Sequence, residues 1–151
     1  MDLVGHLEPS QIIAASQATN KDQLLRDLAA RAAATLKLDA RDIYLAIKAR
    51  EALGSTGLGG GFALPHARIE GLQHMFGLFA RIARPVPYDA IDDVPVDLVF
   101  LLLIPAEAGG EHLAALAAIS RQLRERGCAG RLREAANADE LCGILRGLQH
   151  S

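Results

Sequence analysis

The stretch Val96-Asp97-Leu98-Val99-Phe100-Leu101-Leu102-Leu103-Ile104-Pro105 (VDLVFLLLIP) decides the fold class. From Leu98 to Ile104 it is apolar without a break. A strand with one wet face alternates apolar and polar residues, whereas an unbroken run belongs to a strand covered on both faces. The run has seven residues, against about 20 for a helix that crosses a bilayer. Such a strand needs a layer on each side. The flanking sequence supplies helices both before and after it.

Downstream, GGEHLAALAAISRQLRERG (109–127) reads as a long amphipathic helix stopped by Gly127. NADELCGILRGL (137–148) reads as another, opened by a capping box between Asn137 and Glu140. Upstream, HMFGLFARIA (74–83) reads as a second strand. GFALPHA (61–67), bounded by Gly and Pro, reads as a short strand arriving at an edge. PVPYDAIDDVP (85–95) is a turn region. NKDQLLRDLAARAAATL (20–36) is a helix capped by Asn20, with Gln23 as the reciprocal partner and Leu24, Leu28, Ala32 and Leu36 on one face. A further helix follows Asp39, carries Ile43, Ala46, Ile47 and Arg50, and stops at Gly54. A short strand is expected near Ile12. The expectation is an α/β protein whose sheet is covered by helices on both faces.

A chain of 151 residues suits a single domain over 1–151. The net charge of −2 makes no strong field for nucleic acid or anionic lipid. Cys128 and Cys142 are isolated and form no CxxC, as expected of reduced thiols. MDLVGHLEPSQ lacks the basic and apolar segments of a signal peptide. A cytoplasmic protein without membrane insertion is the simplest expectation.

The segment GSTGLGGGFALPHAR (54–68) is the most unusual in the chain. As a dinucleotide fingerprint it fails, because Phe62 or Leu64 occupies the third glycine position. As a phosphate-binding P-loop it fails as well, with Gly60 at the lysine position. His66 follows Pro65, and His112 follows Gly109-Gly110-Glu111 at a helix start, where free amides favour an anion. His6, His74 and His150 read as surface histidines. Two histidines without supporting Cys or acidic spacing make a weak zinc site. No G-x-S-x-G elbow supports a serine triad.

Arg50-Glu51, Gly54-Ser55-Thr56-Gly57 and Gly59-x-Gly61-x-Ala63-x-Pro65-His66 together resemble the phosphohistidine signature of type-2 enzyme IIA domains of the bacterial phosphoenolpyruvate-dependent phosphotransferase system. VDLVFLLLIPAEAGGEHLAALAAISRQLRE resembles the same family's second histidine region. The resemblance implies a three-layer α/β sandwich, a mixed β-sheet with helices on both faces. It implies His66 as phosphoryl acceptor, His112 and Arg50 as phosphate-stabilising groups, and a histidine-phosphocarrier protein as donor, with no cofactor. Ser55 and Thr56 are candidate hydroxyl donors to the phosphoryl group, or else loop caps. Gly59 and Gly61 are candidates for a low surface on which a partner docks close to His66. Ala67 departs from the glycine common in the family, while Arg68 keeps the basic character that follows. PVPYDAIDDVPVDLVFLLLIP is most similar to the nitrogen-related branch, whose output is regulatory. The alternatives are a fructose- or mannitol-type component passing phosphate to a IIB domain, and a binding regulator without transfer. A monomer or weak dimer is expected.

Overall fold

The structure, a computed structural model, describes residues 3–148. A short 3-10 turn (Pro9–Gln11) leads into β1 (Ile12–Ser16), followed by α1 (Lys21–Leu36), α2 (Ala40–Ala52), β2 (Gly57–Gly59), β3 (Phe62–Ala63), β4 (His66–Ile69), β5 (Phe76–Val86), β6 (Val96–Pro105), α3 (Glu111–Leu123), α4 (Cys128–Glu134) and α5 (Ala138–Gly147). The six strands make one mixed sheet in the order β1-β5-β6-β3-β2, with β4 also paired to β6. β6 is antiparallel to β5 and parallel to both β3 and β4.

β6 has the bounds that its apolar run implies, and its side chains alternate between two cores. Val99, Leu101 and Leu103 pack with Leu24, Leu28 and Ala32 of α1 and with Ile43 and Ile47 of α2. Leu98, Phe100, Leu102 and Ile104 pack with Ile119 and Leu123 of α3, Leu132 of α4 and Leu145 of α5. That is the three-layer sandwich, and it explains why no polar residue interrupts the strand. Burying one such leucine is worth about 1.5–3 kcal/mol.

The helix starts are local and legible. The Asn20 side chain accepts from the Gln23 amide at 2.8 Å, the Asp39 side chain from the Arg41 amide at 2.8 Å, and the Asn137 side chain from the Glu140 amide at 2.9 Å. The reciprocal bonds differ from the expected boxes. Gln23 Oε1 accepts from the Thr19 amide, and Glu140 from the Ala136 amide, each one residue before the cap. Both capping asparagines are nearly fully extended, with φ −152° and −158°.

Two further expectations need correction. GFALPHA is not one strand: it breaks at Leu64-Pro65, because proline has no amide for the ladder. Both pieces resume on β6, Phe62 beside Leu98 and His66 beside Leu102. The long helix ends at Leu123 rather than at Gly127. Gly127, at φ +84°, instead turns the chain into the short helix α4, which the sequence reading lacked.

Candidate functional site

His66 opens β4, so it begins a strand rather than ending one. Along β4, Ala67 and Ile69 point into the core under α1 and α2. Alternation then places His66 and Arg68 on the opposite face, toward α3. The His66 ring is half-buried. Its Nδ1 lies 2.9 Å from the Leu64 carbonyl oxygen. A carbonyl only accepts, so Nδ1 carries the proton and Nε2 keeps its lone pair. Burial holds the His66 pKa below the ordinary histidine value, and the Arg50 charge and the neighbouring His112 push it the same way. The Leu64 bond and the Glu51 carboxylate pull against that shift. The result is a neutral imidazole with a fixed tautomer, which is the nucleophilic form.

Arg50 sits in the last turn of α2, where its Nη1 donates to the Gly54 carbonyl at 2.9 Å and holds the chain leaving the helix. Its charge is felt at His66. His112 is the second residue of α3. Its Nδ1 lies 3.0 Å from the Gly109 carbonyl oxygen and 3.3 Å from Arg68 Nη2. The fold thus brings His66, Arg50 and His112 into one electrostatic neighbourhood, from β4, α2 and α3.

Ser55 and Thr56 turn their hydroxyls inward. Ser55 Oγ donates to the Tyr88 carbonyl at 2.8 Å and accepts from the Gly57 amide at 3.1 Å. Thr56 is buried; its hydroxyl donates to Glu51 and lies 3.3 Å from the Tyr88 hydroxyl. The loop-cap role accounts for both. Glu51 has a side chain only 5% exposed, pairs with Lys21 Nζ at 3.0 Å and also accepts from the Thr56 amide at 3.1 Å. Lys21 Nζ in turn lies 4.3 Å from the centre of the Tyr88 ring. Burial pushes the Tyr88 phenol pKa up.

Gly59 and Gly61 belong to the β2–β3 hairpin, and their surroundings are this chain's own. The Gly60 amide donates to Asp92 at 2.9 Å, and Arg133 Nη2 donates to the Gly60 carbonyl at 2.9 Å while pairing with Asp97. Gly61 has φ +87°, and a Cβ there would lie 2.3 Å from Arg133 Nη2. Along β6 the hairpin register at Leu98 and the His66 register at Leu102 are four residues apart, roughly 13 Å. The close approach at Gly61 is made by Arg133 of this chain.

Sequence reasoning gave Arg68 no role beyond its charge. Arg68 Nη1 donates to the carbonyls of Ala106 (3.2 Å) and Ala108 (2.8 Å), and Nη2 to Gly109 (3.4 Å). Its position two residues after His66 on a strand was the available signal. His74 is exposed ahead of β5, His6 lies ahead of the first turn, and His150 falls outside the described residues. Among the described residues no three His, Cys, Asp or Glu side chains converge as a metal site. No described helix is long and apolar enough to cross a membrane.

Residues 6–147 match the family model described as "Phosphoenolpyruvate-dependent sugar phosphotransferase system, EIIA 2". The chain is 41% identical over 145 residues to a nitrogen regulatory protein of Bradyrhizobium diazoefficiens, covering 96% of this chain and 95% of that one. It is 36% identical over 124 residues to a PTS system fructose-specific EIIA component of Haloferax volcanii, covering 82% and 79%. The crystal structure of the nitrogen regulatory protein IIA-Ntr from Neisseria meningitidis superposes with a TM-score of 0.89 at 35% identity, covering 95% of this chain and 99% of that one.

Proposed function

The chain belongs to the EIIA 2 family of the phosphoenolpyruvate-dependent sugar phosphotransferase system, and we propose that it is a phosphocarrier whose acceptor is His66. One observation carries the choice of nitrogen. Nδ1 of His66 is committed to the Leu64 carbonyl, and the remaining nitrogen, Nε2, holds its lone pair. Nε2 attacks the phosphorus of a phosphohistidine on a histidine-phosphocarrier protein. The Nε2–P bond forms as the donor's N–P bond breaks, and the donor imidazole keeps that electron pair. The transition state is loose and in-line, so the protein's contribution is positioning and charge. As Nε2 bonds to phosphorus, the His66 ring gains positive charge, which the Nδ1–H···O=C bond to Leu64 stabilises. With the proton kept on Nδ1, the ring leaves as neutral imidazole when the group moves on.

Phosphorylation places up to about two negative charges beside the ring. Arg50 and His112 answer them, with charge-assisted hydrogen bonds worth about 1.5–3 kcal/mol each. The reaction needs no cofactor or metal, because the phosphoryl group arrives already activated on nitrogen. The carrier acts in the cytoplasm, as one domain. The likeness to nitrogen regulatory proteins supports a regulatory output, read by target proteins from the phosphorylation state.

The 36% identity to a fructose-specific component favours a second reading, in which phosphate passes to a IIB domain for sugar uptake. Incubation of the phosphorylated chain with fructose-type IIB domain and sugar separates the two. Label retained on the chain supports the regulatory reading, and rapid loss of label with formation of sugar phosphate supports the transport reading.

A further inference from the structure

One atom, Nδ1 of His112, takes part in two competing contacts in this structure. The Gly109 carbonyl at 3.0 Å requires a proton on that nitrogen. Arg68 Nη2 at 3.3 Å can bond only to a lone pair there. The two contacts cannot be hydrogen bonds at once, and each belongs to a different neutral tautomer. In the first, Nδ1–H donates to Gly109 and Nε2 is bare. In the second, Arg68 donates to Nδ1 and Nε2 carries the proton.

The tautomers differ in what they offer an anion. A bare Nε2 repels phosphoryl oxygens, whereas an Nε2–H donates to them. Moving the proton would ordinarily leave the Gly109 carbonyl without its donor and Nδ1 without a partner. Arg68 supplies both. Its guanidinium already reaches the carbonyls of Ala106, Ala108 and Gly109, and its Nη2 lies beside the ring nitrogen. A planar fork of five donors can hold this loop and the ring together, which a single point charge does less well. Arg68 also shares the strand and the face of His66, so one short segment carries both the acceptor and this contact to His112.

We infer that Arg68 is a positioning residue that lets His112 switch tautomer when His66 is phosphorylated, from Nδ1–H bonded to Gly109 to Nε2–H directed at the phosphoryl group. The proton leaves Nδ1 to water as another arrives at Nε2, so the ring stays neutral. The inference rests on the reading of His66 as acceptor. It adds a residue that touches no phosphoryl group and acts through His112.

The test is ring nitrogen-15 NMR of histidine-labelled protein at alkaline pH, before and after phosphorylation with phosphoramidate. In that reaction the reagent's P–N bond breaks, ammonia leaves after gaining a proton from water, and the phosphoryl group bonds to His66 Nε2. The expected result is a His112 Nδ1 of pyrrole type in the free protein and of pyridine type in the phosphorylated one. Arg68→Leu should lose the switch and be labelled about tenfold more slowly, the scale of one lost hydrogen bond. Arg68→Lys, which retains a donor, should restore the switch. A His112 that keeps one tautomer throughout, or that carries both ring protons when His66 is phosphorylated, overturns the inference while leaving the carrier reading intact. Absence of label on His66 overturns both. Circular dichroism of each variant separates loss of the switch from loss of fold.

Discussion

Nδ1 of His66 and the carbonyl oxygen of Leu64, two residues back along the chain, lie 2.9 Å apart. The bond spans the strand break made by Pro65, so the interruption of the sheet and the choice of nucleophilic nitrogen are one feature. Nε2 is therefore the expected site of phosphorylation. Phosphorus–nitrogen correlation spectra at alkaline pH should show an Nε2-phosphohistidine; an Nδ1 linkage would contradict the assignment.

The acid limb of phosphoryl acceptance should lie below the ordinary histidine pKa of about 6.5. Burial first, then the Arg50 charge and the neighbouring His112, depress the His66 value. The neutral, nucleophilic form then persists at pH values where a solvated histidine is already half protonated. Arg50→Gln removes one depressing charge, so its acid limb should move to higher pH. In stability the sign is the same. The unfolded chain binds the proton first, so the contribution of His66 is fully present above about 6.5 and is lost as pH falls toward the lower folded value. An acid limb at or above about 6.5 in the wild type would contradict both statements.

Glu51→Ala should destabilise the fold by on the order of 1–3 kcal/mol, because Thr56 is buried and loses its carboxylate acceptor. Lys21 loses its partner in the same change. Leu101→Ala, at the middle of β6 with no exposed surface, should cost about 2–5 kcal/mol. Urea midpoints at constant m-value measure both.

Gly61→Ala should lower stability by more than about 1 kcal/mol, since it strains a positive φ and drives a Cβ to 2.3 Å from Arg133 Nη2. Labelling of His66 in the protein that remains folded should be unchanged, because the hairpin sits four β6 residues away from His66. Slower labelling with unchanged stability would return Gly61 to the docking surface.

What was legible in the sequence was local. The apolar run of β6 announced two covered faces, and Asn20, Asp39 and Asn137 announced three helix starts, because each signal lies within a few residues of its effect. Gly127 misled because a positive-φ glycine can join two helices as well as end one, and the following α4 is too short to show a period. The site divides the same way. His66 and His112 stood out locally, but their grouping with Arg50 as one candidate site was legible only through resemblance to a family, since their elements meet through the sheet. The inward hydroxyls of Ser55 and Thr56 depend on Tyr88, which is distant in sequence, and the occupant of the space at Gly61 depends on Arg133. No spacing rule carries such partners. Arg68 was within reach, because alternation on a strand places it on the face of His66.

The most direct measurement is intact mass under alkaline conditions after incubation with phosphoenolpyruvate, enzyme I and a histidine-phosphocarrier protein. Wild type, His66→Ala and His112→Ala are compared. The account predicts one added phosphoryl group on wild type, none on His66→Ala, and slower addition on His112→Ala. Label on His66→Ala, or none on wild type, would contradict it.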